Sequence, residues 1–265
     1  MIHYGYILVE PLSALGAVEV HRRLTVLRAL GYEGVEVNIN DPPGIDLGQL
    51  KAWCDELGLA VPSLLSGEAY GDGLCLSSAD AGVRRRTVAR LVGYLEAAQR
   101  LGAILVVGLL QGLRRDEPNV AAARARIADG LRRVAAEAEG RQVDVVIEPV
   151  NHLQVGFHNS VAEVLDLIDA IGSKAVQPMV DTIHMNIEES CLEEPIRRCG
   201  AGLRHVHLCE SHGAAFGAGH IDFAAVLRAL DEIGYDRYAS VKVYRGIPFD
   251  EAAPTSMAHL RGCSR

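Results

Sequence analysis

The chain has 265 residues, 49% of them hydrophobic and 23% charged, ordinary proportions for a soluble protein with a large core. Its 34 acidic against 26 basic residues leave a formal net charge of −8 with no long run of either sign, which argues against nucleic acid as a main partner, because binding a phosphate backbone requires clustered positive charge. No segment is apolar for long enough to span a membrane, the opening MIHYGYILVEPLS lacks the pattern of an export signal, and six scattered cysteines without a CxxC pair suit a reducing cytoplasm.

Along the chain, short apolar runs alternate with longer segments of helical period, the mark of βα units. Strands are predicted at HYGYILV near residue 3, GVEVNI near 34, AVPSLLS near 60, ILVVGLL near 104, VDVVIEPV near 143, VQPMVDTIH near 176, LRHVHLCE near 203 and YASVKVYR near 238. Between them lie amphipathic stretches such as VRRRTVARLVGYLEAAQRLGA and NVAAARARIADGLRRVAAEAEG, each ending at a glycine that can close a helix. Eight strands with helical connections in a chain of this length fit a closed (β/α)8 TIM barrel of the α/β class. The rival, an open doubly wound sheet, lacks its GxGxxG after the first strand. With no linker or change of composition, residues 1–265 read as one barrel domain.

This fold puts its active sites at the C-terminal ends of the strands, so polar residues there are the ones to inspect. Glu148 closes the fifth strand, Asp181 the sixth, His207 sits in the seventh and Lys242 takes the same place in the eighth. Their spacings of 33, 26 and 35 residues are each about one repeat of roughly thirty. Singly, Asp181 reads as a helix cap, Glu148 as a loop acid and His207 as a satisfied core histidine. Together, two carboxylates and an imidazole at equivalent points of three neighbouring strands would be costly to bury unpaired, and they match the oxygen and nitrogen ligands of a divalent cation. His184 leans over the pocket from just past the sixth strand, either as a substrate contact or as a plain loop histidine. Glu36 in VEVNI and Glu68 in SGEAY, near predicted strand ends, are candidates for hydroxyl contacts. Glycines in GAGHIDF would suit a phosphate cradle, but Asp222 is more simply the N-cap of the next helix.

The segments IEPVN, VDTIHMNIEE and HVH followed by GAGHIDF resemble the D-tagatose 3-epimerase-like branch of the sugar isomerase/epimerase superfamily, the xylose isomerase-like TIM barrels. SGEAYGDGLCLSSADAGVRRRTV and GYDRYASVKVYR are similar to that branch's third loop and last strand, so the likeness runs over nearly the whole chain. It implies one divalent metal ion, manganese, cobalt or magnesium with zinc also admissible, held by Glu, Asp, His and a second Glu. It further implies Glu148 as ligand and general base, Asp181 and His207 as ligands, His184 as a contact to substrate oxygens, a small sugar or polyol as partner, and a homodimer or homotetramer. In such a site one glutamate removes a proton beside the ketose carbonyl, an enediolate forms, and the other glutamate returns a proton.

Lys242 stands where the family has its second glutamate. As a catalytic group it would exchange the second proton, stabilise an enolate as an ammonium, or form a Schiff base. Over Glu148, Asp181 and a protonated Lys242 the formal charge is −1 without a metal and +1 with one. Either the ammonium is the cation of a metal-free site, or a metal is present and the lysine is pushed toward its neutral form; the survival of three ligands favours the metal. Further departures are NHLQ, which puts His152 and Gln154 where an arginine and a glutamate are usual, ESHG, which puts His212 and Gly213 in a segment that usually holds an arginine, and Gln111 in GLLQG. Gln154 and His212 become candidate substrate contacts, and the loss of bidentate donors argues against a strongly anionic substrate. The expected activity is isomerisation or epimerisation of a ketose or related keto-sugar, with a lyase or dehydratase on a keto-sugar or cyclic polyol, or a catalytically silent sugar-binding barrel, as alternatives.

Overall fold

A computed structural model of the protein describes residues 1–44 and 46–263. All eight predicted strands form: β1 (His3–Pro11), β2 (Gly34–Asn38), β3 (Ser63–Leu65), β4 (Ile104–Val107), β5 (Val145–Ile147), β6 (Val176–Asp181), β7 (His205–Leu208) and β8 (Tyr238–Val241). Each pairs in parallel with the next, and β8 returns to β1, closing a barrel. Parallel neighbours need a crossover, and a helix laid on the outside of the barrel supplies it while burying its own apolar stripe.

The two helices singled out in the sequence end differently. Ala81–Leu101 stops at Gly102, whose φ of 69° is the left-handed conformation glycine adopts freely. Val120–Arg141 runs straight through Gly140 and is closed by Gln142 at φ 55°, the same left-handed stop made without a glycine. Val143, buried at the entrance to β5, donates its N–H to the Ala138 carbonyl at 3.1 Å and fixes the last turn there.

Most of the core lies between the strands and the helices, where Leu24, Leu27, Leu91, Tyr94, Ile127, Leu131 and Leu230 are fully buried. Inside the barrel, Val106, Val146 and Met179 make a separate apolar cluster on the β4 to β6 side. Since successive strand residues point to opposite faces, the residues two further along β5 and β6 also point inward, one level higher. They are Glu148 and Asp181. On β7 both inward positions are polar, His205 and His207, and they meet Glu36 of β2 inside the barrel.

Candidate active site

Asp181 ends β6 directly opposite His207 in the parallel register. Its two oxygens act separately: Oδ1 accepts the Ile183 N–H at 3.0 Å and caps the helix Thr182–Glu188, while Oδ2 accepts from Lys242 Nζ at 2.7 Å. The cap reading of Asp181 holds, and its second oxygen is left facing Lys242. Lys242 lies one residue past β8, but its N–H still bonds the Leu208 carbonyl at 2.8 Å, which carries the ladder on and keeps its side chain facing inward. Glu148 is held likewise by a bond from its N–H to the Val107 carbonyl at 3.0 Å. Its side chain lies against Gly108, where a methyl group would run into the Glu148 carboxylate.

Glu148, His207 and Lys242 line a cavity of about 340 Å³ at the C-terminal mouth of the barrel, together with His184, Glu68, Asn38, Gln154 and Tyr244 and an apolar wall that includes Ile7, Val9, Leu65, Val106 and Leu109, with Asp181 buried just behind them. His207 Nδ1 stands 3.4 Å from Glu148 Oε1 and 3.6 Å from Asp181 Oδ2, and Lys242 Nζ is 3.6 Å from Glu148 Oε1. Glu148 Oε1 and His207 Nδ1 are buried without a hydrogen-bond partner. Such atoms are costly to leave bare, and the gaps between them suit a shared cation bonded at about 2.0–2.2 Å to each.

His184 offers a second nitrogen beside the same carboxylates, and Glu148, Asp181 and His184 are close enough to hold an ion. Its tautomer argues otherwise. Asn151 Oδ1 accepts the Leu153 N–H at 3.1 Å, which turns the Asn151 amide so that Nδ2 donates to His184 Nδ1 at 2.7 Å. The hydrogen of the neutral ring is then on Nε2, 3.7 Å from Glu148 Oε1 and 3.8 Å from Asp181 Oδ2. His184 is a donor into the cavity, and His207, once its ring is neutral, is the imidazole that presents a lone pair there; the carboxylates of Glu36, Asp181 and Glu148 overcome burial and raise it above its ordinary value, so a bound cation would displace a proton from it.

Burial by itself would raise the carboxylate pKa values, but the Lys242 ammonium together with His184 and His207 outweighs it, holding Glu148 down at about 2 and Asp181 well below the usual range. Burial likewise works against a charged Lys242, and the carboxylates of Asp181 and Glu148 overcome it, raising the lysine above its ordinary value. For His184 burial dominates and lowers the ring, which stays neutral.

Glu36 corrects both its own expected role and the charge count. It is fully buried, away from the cavity lining, and takes hydrogen bonds from Ser63 Oγ at 2.5 Å, His205 Nε2 at 2.6 Å and His207 Nε2 at 3.0 Å. It cannot reach a substrate hydroxyl. Counted with Glu148 and Asp181 it makes three carboxylates against one ammonium, a formal −2 with neutral imidazoles, so a divalent cation that displaces the His207 proton would bring the buried group to neutrality with Lys242 still charged. The expected excess of +1, and with it the need for a neutral lysine, disappears.

His212, also expected at the substrate, is exposed on the loop after β7 and is absent from the cavity lining. That loop curls back on Glu210, whose carboxylate accepts the N–H groups of Ser211, Gly217 and Ile221. Gln154 and Glu68 do line the cavity, and Glu68 Oε1 accepts from Asn38 at 3.3 Å. Gln111 is buried below, donating to the Glu148 carbonyl at 3.3 Å and accepting from His158 Nδ1 at 2.9 Å. Asp222 caps the helix Phe223–Glu232, as its position suggested. Tyr244 went unnoticed in the sequence. It follows Lys242 by two residues and so shares its face, and its ring packs over Gly213, where a β-carbon would lie 2.6 Å from Cζ.

Eight parallel strands closed into a barrel, with two acids and an imidazole gathered at the C-terminal mouth, give a TIM barrel with a candidate cation site beside a cavity of small-ligand size. The chain belongs to the xylose isomerase-like TIM barrel family, whose sequence model matches residues 24–263. It is 34% identical over 220 residues to an L-ribulose 3-epimerase of Mesorhizobium japonicum, covering 82% of this chain and 73% of that protein. It is 31% identical over 211 residues to a ketose 3-epimerase of Arthrobacter globiformis, covering 79% and 72%. A solved structure of an L-ribulose 3-epimerase is similar with a TM-score of 0.88 at 27% identity, covering 99% of this chain and 94% of that one.

Proposed function

We propose that the protein is a ketose epimerase or isomerase that works by proton abstraction beside the carbonyl, with a divalent cation held by Glu148, Asp181 and His207. One observation carries the reading: Glu148 Oε1 and His207 Nδ1, both buried and unpartnered, face each other and Asp181 Oδ2 across gaps of 3.4 and 3.6 Å. Relatives named for ketose and L-ribulose 3-epimerisation support the substrate class.

A bound cation would supply Lewis-acid polarisation of the carbonyl and its neighbouring oxygen. Glu148 is the general base. With its pKa held at about 2 it is ionised throughout the neutral range, and it takes the proton from the carbon beside the carbonyl, leaving the electron pair in an enediolate. His184 donates from Nε2 to a substrate oxygen. The Lys242 ammonium faces the same space, stabilises the developing negative charge and returns a proton to the enediolate. Asn38, Glu68, Gln154 and Tyr244 are left to grip the far hydroxyls. The apolar wall, and the absence of a cation other than Lys242 among the lining residues, favour an uncharged sugar. A cytoplasmic dimer or tetramer of single-domain chains belongs to the same proposal, with gel filtration as its check.

The test is incubation with free pentuloses and hexuloses, L-ribulose first, in D₂O, before and after chelation. Deuterium should enter the carbon beside the carbonyl in recovered substrate and in its epimer or isomer, cease on chelation and resume with manganese, cobalt or magnesium. Accumulation of an unsaturated product would indicate elimination instead. Absence of exchange in every ketose would overturn the reading.

A further inference from the structure

The barrel spends a buried charge on a residue that no substrate reaches. Glu36 comes from β2, three strands round the barrel from β7, and accepts three hydrogen bonds: Ser63 Oγ at 2.5 Å and His207 Nε2 at 3.0 Å on Oε2, and His205 Nε2 at 2.6 Å on Oε1. An ionised carboxylate only accepts, so both imidazoles must carry hydrogen on Nε2. On a neutral His207, the form a cation binds, this leaves Nδ1 bare, and that is the atom aimed at Glu148 and Asp181. In the opposite tautomer a lone pair would face the Glu36 carboxylate and a charge-assisted hydrogen bond would be lost. The carboxylate cannot turn away to relieve that clash, since Ser63 holds one oxygen and His205 the other. His205 also sets the ring of His207 from the side, edge to face at 89° with centroids 5.0 Å apart.

Glu36, His205 and His207 are themselves close enough to hold an ion, but their contacts are all of hydrogen-bond length. Among the described residues, the only unpartnered buried atom in the trio is His207 Nδ1, which points out of it toward the cavity. The trio is a finished network and not a second cation site.

We infer that Glu36 is a positioning residue for cation binding: it fixes the tautomer and ring orientation of His207 and, by pulling on the Nε2 hydrogen, makes Nδ1 a better donor to the metal. This rests on the proposed cation site at Glu148, Asp181 and His207. Calorimetric titration of the chelated protein with Mn²⁺ or Co²⁺ tests it, comparing the wild type with Glu36→Gln, which keeps the shape and removes the charge. Affinity should fall by roughly ten- to a hundredfold, and the rise in melting temperature on adding cation should shrink. A merely structural Glu36 would lower the melting temperature equally with and without cation.

A second measurement needs no variant. Long-range ¹H–¹⁵N spectra of the wild type loaded with Mg²⁺ or Zn²⁺ should show His207 protonated at Nε2 alone. Unchanged affinity in a folded Glu36→Gln protein, or a hydrogen on Nδ1 in the loaded wild type, overturns the inference. A wild type that binds none of these cations overturns the cation site itself, and the role of Glu36 falls with it; the wild-type titration alone tells these two failures apart.

Discussion

His207 joins two acid clusters that are built from the same side chains and finished differently. Below it, the oxygens of Glu36 are taken up by Ser63, His205 and His207. Above it, Asp181 is bonded by Ile183 and Lys242, but Glu148 Oε1 and His207 Nδ1 face each other at 3.4 Å without a hydrogen-bond partner. Folding would favour completing both, because an unsatisfied buried atom costs stability. A barrel that completes one and leaves the other open, a few ångströms away, separates the layer that holds shape from the layer that awaits a ligand. Substitutions in the open layer should therefore act mainly on chemistry, and those in the closed layer on stability and, through the bond from His207 to Glu36, on cation affinity.

The strongest break in this contrast is Glu148→Gln. It should lower kcat on the ketose substrate by roughly 10²- to 10⁴-fold with the melting temperature nearly unchanged, measured by chromatography of the sugar products and by thermal denaturation. Substantial remaining activity would remove Glu148 from the role of base.

Next in size is a pH effect in a second closed network, His158–Gln111, which holds the Glu148 backbone. Burial first, then the Arg124 charge, lowers His158 from 6.5 to about 4. The folded state therefore prefers the neutral ring, and the unfolded state binds more protons between these values. Its stabilisation is complete above pH 6.5 and is lost as pH falls through 6.5 toward 4, by about 3 kcal/mol in all. Urea unfolding at a series of pH values should show this slope, and His158→Gln should flatten it.

The smallest effect sharpens the contrast from below. Ser63→Ala removes one donor from Glu36 and should cost about 2 kcal/mol in chemical denaturation, the usual worth of a hydrogen bond to a buried charge. Its loss of cation affinity should be smaller than that of Glu36→Gln. A larger loss of affinity than of stability would blur the two layers.

How far the sequence went differs between the same layers. Period-two alternation and a spacing near thirty residues were enough to find the strands and to put Glu148, Asp181, His207 and Lys242 at one level. Depth was not legible. Glu36 and Asn38 share a face of β2, yet only Asn38 lines the cavity, because the tilt of barrel strands sinks Glu36 one layer lower. That is why a carboxylate under the site was read as a contact in it, and why the charge count missed it. His212 failed for a different reason: its loop is folded by Glu210 through backbone N–H groups, which leave no local trace in sequence. Tyr244 could have been found, since the same alternation that places Lys242 inward places the residue two positions later beside it.

The shared use of Asp181 has a consequence for how this protein can change. One oxygen starts a helix and the other faces Lys242 and His207, so selection for a good helix start and selection for chemistry fall on a single codon. Asn would keep the cap but drop the charge, and Glu would carry the charge to the wrong place. Drift that loosened the chemistry would also unfasten the segment bearing His184, which makes position 181 a poor place for a lineage to begin losing its activity.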